Sequence, residues 1–328
     1  MYKRQTYNYH SDGSGISSSS RRRPILTMRS NVISYPGVPG SGCRHFPADS
    51  HLWYWLTTKG YEFDVITDDE LHKYGLAAIE KYSVLLTCSH PEYHTPQSLN
   101  ALQEYTNTGG HLMYLGGNGF YWKVAVSDVW PDAVEIRRGE GGIRAWASEP
   151  GEYYNAFDGE YGGLWRRNGR APQVLTGVGF TSQGDHYGAP YRRTPESYSN
   201  EWAWVFEGIT EEIIGDFGLS GGGAAGFELD RADTMLGTPL NAVTLASSEG
   251  HDESFVLVPE DILTHHDTWP HKPIKELIRA DIVYFETAKG GGVFSVGSIT
   301  FCGSLPHNNC ENNISKMVEN VIRKFLSN

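Results

Sequence analysis

Short apolar, partly β-branched runs alternate with helix-like stretches over the first part of the chain. "PILTM" (24–28), "FDVITDD" (63–69), "YSVLLTCS" (82–89) and "HLMYLGG" (111–117) have the length and composition of buried strands. Between them, "ADSHLWYWLTTKG" puts Ala48, Leu52, Trp55 and Leu56 on one helical face and stops at Gly60. "TPQSLNALQEYTNTGG" starts with Thr95 as N-cap and Pro96 at the first helical position, and ends at Gly109. Strands alternating with helices imply parallel pairing through right-handed crossovers, so residues 24–122 read as half of a doubly wound sheet.

The pattern then changes. From about 123 to 250, aromatic residues and glycine pairs, as in "GEYGGLWRRNGRAP" and "LSGGGAAGFELDRAD", predict a long insertion of loops and short strands. "NAVTLASS", "ESFVLVP", "ADIVYFETA" and "GGVFSVGS" return to strand patterns. A last helix carries Ile314, Met317, Val318, Val321, Ile322 and Phe325 on one stripe. Residues 1–23, rich in Ser, Gly and Arg without apolar period, are expected to form a disordered tail. The expected fold is thus an α/β domain over 24–328, a doubly wound, mostly parallel sheet with an insertion.

Composition narrows the partners. A formal charge of -12, from 27 basic and 39 acidic residues, lacks the positive field that nucleic acid or an anionic membrane requires. A neutral or cationic small molecule fits better. Four scattered cysteines, with no apolar run long enough to span a bilayer and no signal-like N-terminus, lead to the expectation of a cytoplasmic protein.

In an open parallel sheet, ligands bind beyond the carboxyl ends of the strands. By that rule "YSVLLTC" delivers Ser89–His94, and "HLMYL" delivers Gly116–Trp122, to one crevice. Three chemistries use such residues. Cys88 with His90 nearby suggests a thiolate nucleophile, without the glycine elbow that usually surrounds one. Phenol and carboxylate oxygens suit a hard cation, with Tyr93 and Tyr121 as candidates and Glu152, Asp158 or Glu160 as a third ligand. Trp122, Trp146, Trp165, Trp202 and Trp204 suggest stacking platforms of a carbohydrate- or small-molecule-binding or scaffolding domain, although core packing is the commoner fate of tryptophan. Further along, Glu228, Asp230 and Arg231 are expected in a buried ion network or a pocket wall, and His251, His265, His266 and His271 form no zinc pattern.

"HPEY", "GGHLMYLGGNGFYW", "DGEYGGLWRRNGR", "GVGF", "GGGAAGFELDRAD" and "GSITFCGSL" together resemble the C-terminal domain of the large (beta) subunit of N,N-dimethylformamidase, from about Arg23 onward. The resemblance implies a glutamine-amidotransferase-like α/β fold and an amidohydrolase that cleaves small N-substituted formamides to formate and an amine. It also implies a mononuclear iron (Fe3+) held by two tyrosines and a glutamate. Carried onto this sequence, the ligands are Tyr93, Tyr121 and Glu160, with Tyr114 and Glu152 as substitutes. His90 or His94 would shuttle a proton to the departing amine, and Glu92 and Asn118 would orient groups around the metal. Relatives of this kind carry a β-sandwich domain ahead of the matched one and work with a small companion subunit; association with further copies of the chain is a related expectation.

Overall fold

The structure, a computed structural model, describes residues 5–24, 28, 45–139, 145–262 and 273–327. Most of "PILTM", together with Cys43, His265, His266 and His271, lies outside these residues. Chain order gives β1 (Ser18–Ser20), α1 (His45–Thr58), α2 (Asp68–Tyr74), β2 (Val84–Leu86), β3 (Tyr93–His94), α3 (Pro96–Asn107) and β4 (His111–Tyr114). Next come β5 (Trp122–Lys123), β6 (Ala125–Val126), β7 (Ala133–Glu135), β8 (Gly179–Ala189), β9 (Tyr191–Arg193), β10 (Ile213–Ile214) and β11 (Ala225–Arg231). The chain closes with β12 (Val243–Ser248), β13 (Val256–Leu257), β14 (Asp281–Glu286), β15 (Gly292–Ser295) and α4 (Asn313–Leu326).

Local chemistry sets the helices. The Thr95 hydroxyl accepts from the Ser98 amide and the Ser98 hydroxyl accepts from the Thr95 amide, so two donors left open at the start of α3 are satisfied reciprocally. Asn312 caps α4 by accepting from the Ser315 amide at 2.8 Å. The apolar stripe of α4 is fully buried, each large side chain contributing about 1.5–3 kcal/mol. Trp55 on α1 donates its indole N–H to the Ser315 hydroxyl at 2.7 Å, tying the two helices together.

Among the described residues the principal sheet has seven strands, in the order β10-β9-β12-β14-β15-β4-β2. Alternation along β4 decides what covers it. Met113 and Leu115 join the core that α1 and α4 cover, while Leu112 and Tyr114 join the core under α2 and α3. Among the described residues of this sheet, β2/β4 and β4/β15 pair in parallel, whereas β15/β14, β14/β12, β12/β9 and β9/β10 are antiparallel. The described part of the sheet is therefore mixed. The five residues between β14 and β15 are too few for a crossover and return the chain as a hairpin. "FDVITDD" forms no ladder; residues 61–66 run without assigned strand structure and Val65 is 58% exposed.

The N-terminal residues also depart from expectation. Ser18–Ser20 pair antiparallel with β7, and Arg21 and Arg22 both bond Asp132, so residues 5–24 are built into the insertion instead of forming a tail. Strand pairing supplies the backbone partners, which lets a serine-rich stretch adopt order without apolar period. The long ribbon of β8 with β11 and β13 lies beside the carboxyl edge of β15 through Ile299, whose amide donates to the Glu228 carbonyl on β11.

Candidate active site

Two loops leave the carboxyl ends of β2 and β4 and lie side by side. The Gly117 amide donates to the Ser89 carbonyl at 3.2 Å, Phe120 to Pro91 at 2.7 Å, and Tyr121 to Glu92 at 3.0 Å. Glycine is required for this approach. A Cβ on Gly116 would lie 2.4 Å from the Ser89 carbonyl oxygen, and one on Gly117 would lie 2.6 Å from the Ile299 nitrogen. Asn118 and Phe120 both have left-handed backbone (φ 50° and 55°), the strain expected where a loop is over-determined by its surroundings.

Tyr114 and Asp230 lock that loop. The Tyr114 hydroxyl accepts from the Gly119 amide at 2.7 Å and donates to Asp230 Oδ2 at 2.8 Å, while the Asn118 amide donates to Asp230 Oδ1 at 2.7 Å. Burial pushes the Asp230 carboxyl up to about 7 against the pull of these donors. Tyr114 is thus engaged in holding the loop.

His90 stands at the meeting point. Its Nε2 lies 3.1 Å from Glu92 Oε2 and 3.2 Å from Glu228 Oε2, and the three side chains are only 2–4% exposed. Glu228 arrives from β11, where Phe227 (φ 62°) interrupts the register with β8. One Nε2–H cannot serve two carboxylates at once.

Tyr93 adjoins this cluster. Burial pushes its phenol well above the ordinary range, the charges of Glu92 and Tyr7 add to this, and the Arg138 guanidinium opposes it. The Tyr7 hydroxyl approaches that of Tyr93 without closing a well-formed hydrogen bond. Arg138 is fully buried, its guanidinium carbon 4.2 Å from the Tyr7 ring centre and 4.5 Å from that of Trp122, and its nitrogens have no hydrogen-bond partner among the described residues.

Tyr121 follows in the same loop pair, its amide bonded to the Glu92 carbonyl, and its ring is buried edge-on against Phe180 and Trp122. Most other candidates separate from this group. The β3/β5 register pairs Tyr93 with Trp122 and His94 with Lys123, so His94 and Lys123 occupy the opposite face from Tyr93. Glu160 follows Lys123: its carboxylate is 55% exposed and sits 2.7 Å from the Lys123 ammonium. Glu152 is exposed beside Arg137, and the Asp158 carboxylate accepts from the Glu160 amide. His94 lies 3.1 Å from the Ser98 hydroxyl and stacks on Phe120, serving the start of α3. Asn118 is buried at the crevice with its side-chain oxygen unpartnered among the described residues.

The other two chemistries lose their footing. Burial raises the Cys88 thiol well above its ordinary range, with Asp49 adding to the effect, which disfavours the thiolate. Trp122, Trp146 and Trp165 are buried, and Trp202 and Trp204 pack on Tyr284. Arg231 bonds Asp233 and Asp261, while Glu228 and Asp230 serve the crevice.

Among the described residues no group of three or more His, Cys, Asp or Glu side chains has the geometry of a metal site. A cation here would rely on phenol oxygens, and the buried Tyr93 hydroxyl with Tyr7 and Glu92 near it forms an oxygen donor set of the hard type. Tyr7 fell within the expected tail, and nothing in the sequence placed Arg138 beside it.

The family model described as N,N-dimethylformamidase beta subunit-like, C-terminal, matches residues 2–312, so the likeness begins well before Arg23. The N,N-dimethylformamidase beta subunits of Paracoccus aminophilus and of an Alcaligenes species are 41% and 42% identical to this chain over 330 residues. Each match takes in 99% of this chain but 42% of the relative, so the chain spans less than half the length of these proteins. A solved ThuA-like protein from Bacteroides uniformis overlaps 86% of this chain and 83% of its own at 12% identity and a TM-score of 0.41, too distant to carry an argument.

Proposed function

Because the chain belongs to the N,N-dimethylformamidase beta-subunit-like family, we propose that its His90 centre hydrolyses a small N-substituted amide of the formamide class, giving a carboxylate and an amine. The observation that carries this reading is one imidazole nitrogen held within 3.2 Å of two buried carboxylates at the carboxyl edge of the parallel strands.

Hydrolysis needs a proton taken from water and a proton given to the departing nitrogen. His90 and its glutamates do both: a carboxylate beside Nε2 that the N–H does not engage accepts the proton as the water oxygen bonds the amide carbon, then returns it to the nitrogen as the C–N bond breaks. His90 Nε2, within 3.2 Å of both carboxylates, orients the pair. Asn118 turns its side-chain NH2 towards the substrate carbonyl, an orientation open to it because its amide oxygen has no described protein partner. Tyr121, Phe180 and Trp122 supply apolar walls that suit a small substrate.

The iron expected from the family belongs to the same proposal. Tyr93 and Glu92, with Tyr121 or Tyr7 as the second phenol, would hold it, and when bound it would supply Lewis-acid polarisation of the carbonyl. Arg138 favours ionised phenol at Tyr93. The companion subunit is carried over as a partner from the relatives' description as beta subunits, and the glutamine-amidotransferase-like reading of the fold rests on the parallel β2/β4 crossover. The test is amine release from N,N-dimethylformamide by the wild type and by His90→Gln and Glu228→Gln. Loss of at least about a hundredfold in both is expected for proton transfer, and near wild-type rates in a folded His90→Gln protein would refute the assignment.

A further inference from the structure

Ser89 is fully buried where the chain leaves β2 for the His90 loop, and it is held from two sides. From one side, Asp49 Oδ1 on α1 accepts the Ser89 amide at 3.0 Å and the Ser89 hydroxyl at 2.7 Å. From the other, the Ser89 carbonyl accepts the Gly117 amide at 3.2 Å. A single carboxylate oxygen thus fixes both donors of the residue before His90 and, through that residue's carbonyl, meets the second loop of the crevice. The same helix face makes another contact. His45 lies four residues before Asp49, the spacing that puts two side chains on one side of a helix. Its ring faces that of His90 with centres 6.3 Å apart and planes 25° from parallel. Burial pushes the Asp49 carboxyl up, while the Ser89 donors and the charge of His90 draw it down, so the imidazole stands within electrostatic reach of Asp49. Further along, α1 is anchored by Leu52, Trp55 and Leu56 in the core and by the bond from Trp55 to Ser315.

We propose that Asp49 is a positioning residue for the His90 centre: acting through Ser89, its side-chain oxygen fixes the loop so that His90 Nε2 meets Glu92 and Glu228 together. This rests on the hydrolytic reading of that centre. Glu92 sits two residues beyond His90 and moves with it, whereas Glu228 belongs to β11 and is fixed independently, its carbonyl bonded by the Ile299 amide. Freeing Ser89 therefore separates the imidazole from Glu228. A displacement of about 1 Å at a reacting group is enough to cost roughly a hundredfold in rate. Groups assigned to the substrate are held by other means. The Asn118 amide is bonded to Asp230, and the Tyr121 ring packs on Phe180. Loss of the brace should therefore fall on kcat and leave KM nearly as it was.

Steady-state kinetics and hydrogen exchange of Asp49→Ala, Asp49→Asn and Ser89→Ala, set beside wild type, test this. Asparagine keeps a side-chain oxygen for both Ser89 donors, alanine removes it, and Ser89→Ala deletes one of the two bonds. With N,N-dimethylformamide as substrate, Asp49→Ala should lower kcat roughly tenfold to a hundredfold with KM within about threefold of wild type. Asp49→Asn should restore most of that loss, and Ser89→Ala should fall between. Exchange of the Ser89 and Gly117 amides should quicken roughly tenfold or more in Asp49→Ala and return towards wild type in Asp49→Asn. Leu85, in the ladder between β2 and β4, should stay protected and so report an intact sheet. Should Leu85 lose protection in Asp49→Ala, the same comparison is read from Ser89→Ala. The proposal is overturned if both amides exchange as in wild type without the carboxylate, if kcat is unchanged once they are released, or if Asp49→Asn behaves as Asp49→Ala. Failure of the hydrolytic reading looks different: near wild-type turnover in His90→Gln removes that reading, while the exchange rates still decide whether Asp49 holds the loop.

Discussion

Replacing Tyr114 by Phe removes one oxygen that serves two buried groups. Tyr114 is fully buried, donates to Asp230 Oδ2 at 2.8 Å and accepts from the Gly119 amide at 2.7 Å. Phenylalanine keeps the ring and leaves an amide and a carboxylate oxygen without their partner. Each such loss costs about 1–3 kcal/mol, so the variant should lose about 2–6 kcal/mol. The cost should depend on pH. The Asp230 carboxyl is raised to about 7, so the stability linked to its protonated form is complete below its unfolded value near 3.8 and is lost as pH rises through about 7. Above that pH the carboxylate is ionised and its bond from Tyr114 is charge-assisted, so Tyr114→Phe should cost more at pH 8 than at pH 5. Urea denaturation of wild type, Tyr114→Phe, Asp230→Asn and the double variant at both pH values provides the assay. A loss below about 0.5 kcal/mol, or strict additivity in the double variant, would refute the bridging role, since partners in one network should couple by more than that.

Three further outcomes follow from the same geometry. Cys88→Ser should leave amide hydrolysis within about twofold of wild type, because burial holds the thiol un-ionised; loss of activity in a folded variant would return Cys88 to the site. Gly117→Ala places a Cβ 2.6 Å from the Ile299 nitrogen and 2.8 Å from the Glu228 carbonyl, so it should cost about 1–3 kcal/mol in denaturation and reduce turnover by displacing Glu228. Asn312→Ala removes the α4 cap and the bond from its side-chain amide to the His307 carbonyl at 2.7 Å, and should lower stability by about 1–2 kcal/mol with turnover unchanged.

Where local chemistry decides structure, the sequence is legible. Thr95, Pro96 and the α4 stripe announce their helices because capping and amphipathic period act within a few residues. The glycines of Gly116–Gly119 likewise announce a close approach, and the two loops do lie together. Long-range pairing is not legible in that way. Ser18–Ser20 gain their order from β7, more than a hundred residues away, and nothing in a serine run signals that partner. The carboxylate beside Tyr93 could not be chosen from residue type: Glu92 and Glu160 look alike in sequence, and the separation comes from the side of β5 to which Lys123 draws Glu160. Glu228 reaches His90 through a register break at Phe227, a feature of strand pairing rather than of composition.

The account places the reactive centre at His90, Glu92 and Tyr93, with Glu160 outside it. Iron content and visible absorption of purified Glu92→Gln and Glu160→Gln, measured beside wild type, test that most directly. The expected result is stoichiometric iron and an unchanged phenolate band in Glu160→Gln, with both lost in Glu92→Gln. Retention by Glu92→Gln with loss in Glu160→Gln, or a wild-type protein that binds no iron, would contradict it.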